Sequence, residues 1–269
     1  MTLEFAPVVP PKIAKQMIAK RCFGAYHLTL AHDIVANAAE YHEVYVNELI
    51  ANDRFARLVI MDNSCVELNA PVNTQMIKDA ADIIRPNVIV LPDEYLDCRG
   101  TLDSTYKGLL DLGQKNYNYS GVAQVEFMAI PQGNTWEQWV TCLEGILRLN
   151  PIKWIGIPRN LQQNLGVSRF QAMRVVDMMA PDKKMHMFGF SDNLEDDIMS
   201  CWLAARMGLQ LYGIDSNVPI RQGIQGKPIK LTQADPGPRG DWWDNPGDFN
   251  ACAEINVRTV REWLYKASV

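Results

Sequence analysis

Short apolar runs alternate with longer amphipathic stretches along most of this chain. The runs at Gly24–Leu30, Arg57–Met61, Asn87–Leu91, Val125–Ile130, Trp154–Ile157, Lys184–Phe190 and Leu209–Ile214 are rich in β-branched and large apolar residues and predict buried strands. Between them, apolar residues recur at helical spacing. In His32–Asn52 the set is Ile34, Val35, Ala38, Tyr41, Val44, Val46 and Leu49, and in Asn73–Arg85 it is Met76, Ile77, Ala80, Ile83 and Ile84. Thr101–Leu112, Thr135–Leu149, Ser168–Met179 and Leu194–Met207 read the same way. Asn134 or Thr135 and Ser168 stand where N-caps belong, and Glu195, Asp196 and Asp197 complement a helix dipole at its positive end. Asn250–Lys266 closes the chain as a helix with Ala251, Ile255, Val257, Val260, Trp263 and Leu264 on its apolar face.

Continuous apolar strands that alternate with helices suit a parallel sheet covered on both faces. An eighth strand is expected near Pro228–Leu231. The fold class predicted is therefore α/β, a single TIM-like (β/α)8 barrel over residues 1–269. No Gly-rich phosphate loop follows the first strand, which argues against a dinucleotide-binding sheet. The segment with Pro7, Pro10 and Pro11 reads as an extended lead-in, and Asp235–Asn250 as a long Pro/Gly/Trp loop of the kind that often carries function.

Composition narrows the classes. With 269 residues, 48% hydrophobic, the chain can build a large core. Its net charge of -5 is unlike a dedicated duplex-DNA binder, so any nucleic-acid contact must be a local patch. The six cysteines are scattered without a CxxC pair and read as free thiols in a reducing compartment. Neither a signal peptide nor a membrane-spanning apolar run is visible, so the expectation is a cytoplasmic protein with no membrane partner.

In such barrels, chemistry sits at the carboxyl ends of strands. There the sequence places Asp62-Asn63-Ser64, Pro92-Asp93-Glu94, Pro131-Gln132-Gly133, Gly156-Ile157-Pro158-Arg159, Gly189-Phe190-Ser191-Asp192 and Asp215-Ser216-Asn217. A single Asp at such a place is as readily a helix cap. Two carboxylates at two strand ends, Asp62 and Asp215, can instead serve as acid/base and nucleophile at a sugar carbon. His27 and His32 read as core or capping residues.

Asp215, Pro219, Arg221 and Gly226 fit the spacing Asp-x-x-x-Pro-x-Arg-x-x-x-x-Gly. With that motif the chain resembles the queuine tRNA-ribosyltransferase superfamily, whose members exchange guanine for a 7-deazaguanine base. Phe188-Gly189-Phe190-Ser191-Asp192-Asn193-Leu194 is similar to the family's stretch before the nucleophile strand. Asp62-Asn63-Ser64-Cys65 resembles its Asp-Ser-Gly-Gly with both glycines replaced, Asp93-Glu94 its Asp-Glu, Gln132-Gly133 its Gln-Gly, and Gly156-Ile157-Pro158 loosely its Gly-Gly-Leu. The resemblance runs in order over about residues 20–230. It departs at the zinc site of the tRNA enzymes: Cys252 is the only cysteine after Cys201 and no His follows His186, so no metal and no other cofactor is expected. That places the resemblance with the compact phage and bacterial branch that modifies DNA.

The resemblance implies Asp215 as nucleophile and Asp62 as proton donor and acceptor, with the two roles exchanged or Asp62 a sugar-hydroxyl ligand as the alternatives. It implies Asp93 against the base's N1–H and 2-amino group, with Gln132, Gly133 and Gly156 toward O6 or the 7-substituent. Arg221 and Arg159 are expected on phosphates, and Trp242 and Trp243 on a stacked base. The implied partners are DNA, with tRNA as runner-up, a preQ0-like base and a possible homodimer. A base-excising hydrolase and a non-catalytic partner subunit remain open alternatives.

Overall fold

The computed structural model describes residues 2–48, 58–68, 72–115, 117, 124–159, 161–232, 242–243 and 245–268. Eight short, largely buried strands run through it: β1 (Glu4–Pro7), β2 (Tyr26–Leu30), β3 (Leu58–Asp62), β4 (Val88–Val90), β5 (Glu126–Ala129), β6 (Ile152–Ile157), β7 (Lys184–Met187) and β8 (Leu211–Ser216). They form one eight-stranded sheet in the order β1-β8-β7-β6-β5-β4-β3-β2, with helices between successive strands. This sequential order of alternating strands and helices is a TIM-like (β/α)8 barrel.

The chain divides into two compact units. The first comprises Met1–His27, Pro158–Asn160 and Ser168–Val269. Its register aligns Glu4 with Gly213 and Ala6 with Asp215 across the parallel pair β1–β8, and His186 with Gly213 across β7–β8. The long helix Ala251–Ser268 packs against β1 and against the helices Leu194–Arg206 and Val218–Ile224. Gly223 allows that last approach, because a Cβ there would collide with the Ala253 backbone. The second unit, Leu28–Ile157 with Leu161–Val167, carries the parallel run β3–β4–β5–β6. Three of its helices begin at side-chain caps that accept backbone N–H groups. Asn73 caps Thr74–Ile84, Asp97 caps Cys98–Gly113, and Thr135 caps Trp136–Leu147. In the first unit, Ser168 and Asn193 cap Arg169–Met179 and Leu194–Arg206 in the same way.

Three expectations are corrected. The eighth strand is not at Pro228–Leu231. It is β1, in the segment read as a lead-in, where Pro7 ends the strand and Pro11 opens the helix Pro11–Ala19. Pro228 has no N–H to give a ladder, and the neighbouring backbone is satisfied elsewhere. Ile229 N–H donates to Asn256 Oδ1 at 2.9 Å, and Asn256 Nδ2 donates to Lys227 O at 2.9 Å. The single helix expected over His32–Asn52 is broken into Ala31–Ala36 and Ala38–His42, then a π-helical turn Glu43–Glu48. The break is at Asn37, whose backbone leaves the helical region at φ -124° and ψ 44° and whose side chain donates to Asp33 Oδ1 at 2.8 Å and to the Asp33 carbonyl at 3.3 Å, the same carbonyl that accepts the Asn37 N–H. Residues 49–52 of that stretch lie outside the described residues, as do 235–241 and 244 of the expected long loop. All six cysteines are free, as expected. Among the described residues, no helix is long and apolar enough to cross a membrane.

Gly213 is the tightest point of the β1–β8 pair. A Cβ there would collide with the Glu4 carbonyl and come within 2.9 Å of Tyr26 Cε1. Gly213→Ala is therefore expected to cost about 3 kcal/mol of folding stability, read as an earlier midpoint in urea denaturation with an unchanged slope.

Candidate functional site

In the first unit the candidate carboxylate is Asp215, next to last in β8 and only 7% exposed. A charge this buried needs donors. It has two, both on Oδ1: His186 Nε2 at 3.0 Å and Gly189 N–H at 2.9 Å. Oδ2 has no hydrogen-bond partner among the described residues. His186 reaches Asp215 because it faces Gly213 across the β7–β8 pair, on the same side of the sheet as Asp215 two positions on. The second ring nitrogen, Nδ1, lies 2.6 Å from the Tyr26 hydroxyl.

Gly189 is held rigidly. Its φ is +59°, a region that L side chains rarely adopt, and its carbonyl accepts from Arg169 Nη2 at 2.8 Å. The same guanidinium donates to the carbonyls of Phe188 and Pro158 and pairs with Asp197 at 2.9 Å. Asp197 in turn accepts from Ser191 N–H at 2.7 Å and Ser191 Oγ at 3.0 Å. This pair is 3% and 2% exposed, so the loop after β7 is clamped on a desolvated, fully bonded ion pair.

In the second unit, three strand ends supply a different cluster. Asp62 ends β3, and its Oδ2 accepts from Ser64 N–H at 3.3 Å. Asp93, just past β4, is buried with one donor on each oxygen: Asn63 Nδ2 on Oδ1 and Gln132 Nε2 on Oδ2, both at 2.7 Å. Burial raises the Asp93 carboxyl above the ordinary aspartate range, and the bonds from Asn63 and Gln132 pull the other way. Asn63 is itself pinned by Leu91 O, which it donates to at 2.7 Å, and by Cys65 N–H, which it accepts at 2.8 Å. Burial, with the charges of Asp93 and Asp62 nearby, pushes the Cys65 thiol up to about 12, so it is no nucleophile at neutral pH. Ser64 sits at φ +67°, the conformation a glycine takes freely, in the position where the resemblance has a glycine.

The remaining predicted residues separate. Gln132 is turned toward Asp93, and so supports a carboxylate in addition to any base contact. Gly133 lies against the start of the helix Trp136–Leu147, where a Cβ would meet Trp139 N at 2.6 Å. Gly156 is buried in β6. Arg221, expected on a phosphate, is 7% exposed inside the helix Val218–Ile224. Arg159 is exposed. Trp242 is 6% exposed, which favours packing over base stacking, while Trp243 is partly exposed. Sequence reasoning missed His186 and Tyr26, and named Asn63 at its strand end without giving it a role. The signal for His186 was present: a lone imidazole in an otherwise apolar strand, adjacent in order to a strand ending in Asp. Neither a protein-family model nor a curated protein matches this chain.

Two outcomes follow from this geometry. Ser64→Gly is expected to hold stability within about 1 kcal/mol, and Ser64→Val to lose about 2–3 kcal/mol, both measured by denaturant titration. Asp93 is raised in the folded state, so its neutral form favours folding. That contribution is complete below the unfolded-state value and is lost as pH rises through the folded-state value. The stability of Asp93→Asn relative to the native chain should therefore climb as pH rises from about pH 4 toward the folded-state value of Asp93.

Proposed function

We propose that the protein is a base-exchange transglycosylase that replaces guanine in a nucleic acid, DNA first, with a 7-deazaguanine of the preQ0 type. The observation that carries this reading is Asp215: Oδ1 is fixed by two donors and Oδ2 is left without one among the described residues. That is how a carboxylate is aimed for attack on carbon. Asp62 and Asp93 stand at the carboxyl ends of other strands, where barrel enzymes carry their chemistry, and Asp93 offers acceptors alone to a ligand edge rich in N–H donors.

In the first half, Asp215 Oδ2 forms a bond to C1′ as the C1′–N9 bond breaks. The electron pair stays with the guanine, which takes a proton from the Asp62 carboxyl and departs. In the second half, the incoming base gives its N9 proton to the Asp62 carboxylate, N9 bonds to C1′, and the ester electrons return to Asp215. One proton is given and one recovered, and one glycosidic bond is exchanged for another, so no outside reactant is needed. The sugar stays attached to the enzyme between the halves, which is what makes exchange possible.

Purified protein incubated with labelled guanine or preQ0 and either DNA or tRNA is expected to put label into DNA. Asp215→Asn should abolish both label and any covalent adduct while leaving the far-UV circular dichroism unchanged. Label in tRNA alone would move the reading to the tRNA substrate. Base release without incorporation would replace exchange with hydrolysis, and neither result with active-site-intact protein would overturn the enzymatic reading.

A further inference from the structure

Asp215 ends a chain of three side chains whose other two members have no role in the exchange as set out above. Tyr26, at the start of β2, is buried, and its hydroxyl meets His186 Nδ1 at 2.6 Å. Burial first, and the nearby Asp215 charge second, hold the Tyr26 phenol well above its ordinary range, so it keeps its proton and donates. A donor on Nδ1 makes that nitrogen an acceptor. The proton of the neutral imidazole is then on Nε2, which faces Asp215 Oδ1 at 3.0 Å. His186 is wholly buried, with the Phe188 ring edge-on to it at 4.9 Å, so water does not compete for either nitrogen. Room for the Tyr26 ring comes from Gly213, where a side chain would meet it.

We propose that His186, set in its Nε2–H form by Tyr26, is a positioning residue for Asp215 and acts mainly in the second half of the exchange. This rests on the transglycosylase reading. While the ester exists, Oδ1 is a carbonyl oxygen with little charge, and the bonds from His186 and Gly189 are ordinary. As the C1′–Oδ2 bond breaks, its electron pair returns to the carboxylate and the charge spreads onto Oδ1. Both donors then strengthen, which lowers the barrier for release, whereas attack starts from the charged carboxylate they already hold and gains nothing from them. The device acts as an oxyanion hole for the enzyme's own leaving group. No proton moves along the chain: Tyr26 keeps its hydrogen and His186 keeps Nε2–H throughout.

Three measurements on the full chain test this. The ¹⁵N spectrum of histidine side chains should show His186 as the neutral Nε2–H tautomer in the native protein, and Tyr26→Phe should release it to the Nδ1–H form or a mixture. An Nδ1–H form or an imidazolium in the native protein overturns the relay. In kinetics, His186→Phe should cut turnover about a hundredfold with little change in KM and raise the fraction of enzyme trapped as covalent adduct. His186→Gln, which can present an amide N–H from the same place, should recover turnover to within about tenfold of native. Equal losses in the Phe and Gln variants, or no rise in adduct, overturn the positioning role. A native protein that shows the Nε2–H tautomer but no exchange overturns the exchange reading itself, and the two failures are thereby told apart.

Discussion

A carboxylate placed almost out of water at the end of β8 is the constraint on which the first unit depends. Burying that charge without donors would cost several kcal/mol, and the chain meets the requirement from three separate elements. β7 supplies an imidazole, β2 supplies the phenol that sets its tautomer, and the loop after β7 supplies a backbone N–H. Each of these has its own condition. Tyr26 needs the missing side chain of Gly213, and Gly189 needs a positive φ and the grip of Arg169. The buried Arg169–Asp197 pair contributes less through its own energy than through what it immobilises.

The second unit treats its buried carboxylate differently. Asp93 is supported by two neutral amides rather than by a histidine and a backbone group, and its carboxyl is raised by burial. Amide donors divided one to each oxygen keep the carboxylate in a fixed plane and leave lone pairs on both oxygens for a ligand. Asp215 instead receives both of its donors on one oxygen. A symmetric acceptor suits recognition of a donor-rich edge, and an asymmetric one suits attack from the free oxygen. The two carboxylates thus differ in what they can do although they are the same residue type near the carboxyl ends of their strands.

Much of this was legible from the pattern of residues. Strands β2 to β8 and two of the helix caps follow from apolar periodicity and from Thr135 and Ser168 as local hydrogen-bond acceptors. The strand-end residues Asp62, Asp93 and Asp215 could be named because parallel strands expose their carboxyl ends in a regular order. The failures have physical causes. Glu4–Pro7 is too short and too rich in proline neighbours to announce a strand, and becomes one only by pairing with β8. Pro228–Leu231 has strand-like residues, but its backbone bonds to Asn256, a residue far along the chain. Asn37 breaks a helix whose apolar spacing continues unbroken, because spacing does not register a residue whose backbone leaves the helical region while its side chain and its N–H share the Asp33 carbonyl.

By itself, then, the sequence determined the alternation of strands and helices, the approximate span of the longer helices, the caps at Thr135 and Ser168, and the residue types at the strand ends. All of these depend on interactions between near neighbours. Tertiary structure alone decided which residues serve the carboxylates. His186 and Asp215 lie 29 positions apart and Tyr26 and His186 lie 160 apart, and only the register of β7 on β8 and the gap at Gly213 bring them into contact. It also decided that Arg221 and Trp242 are buried instead of exposed, since burial depends on what packs over a residue and not on the residue.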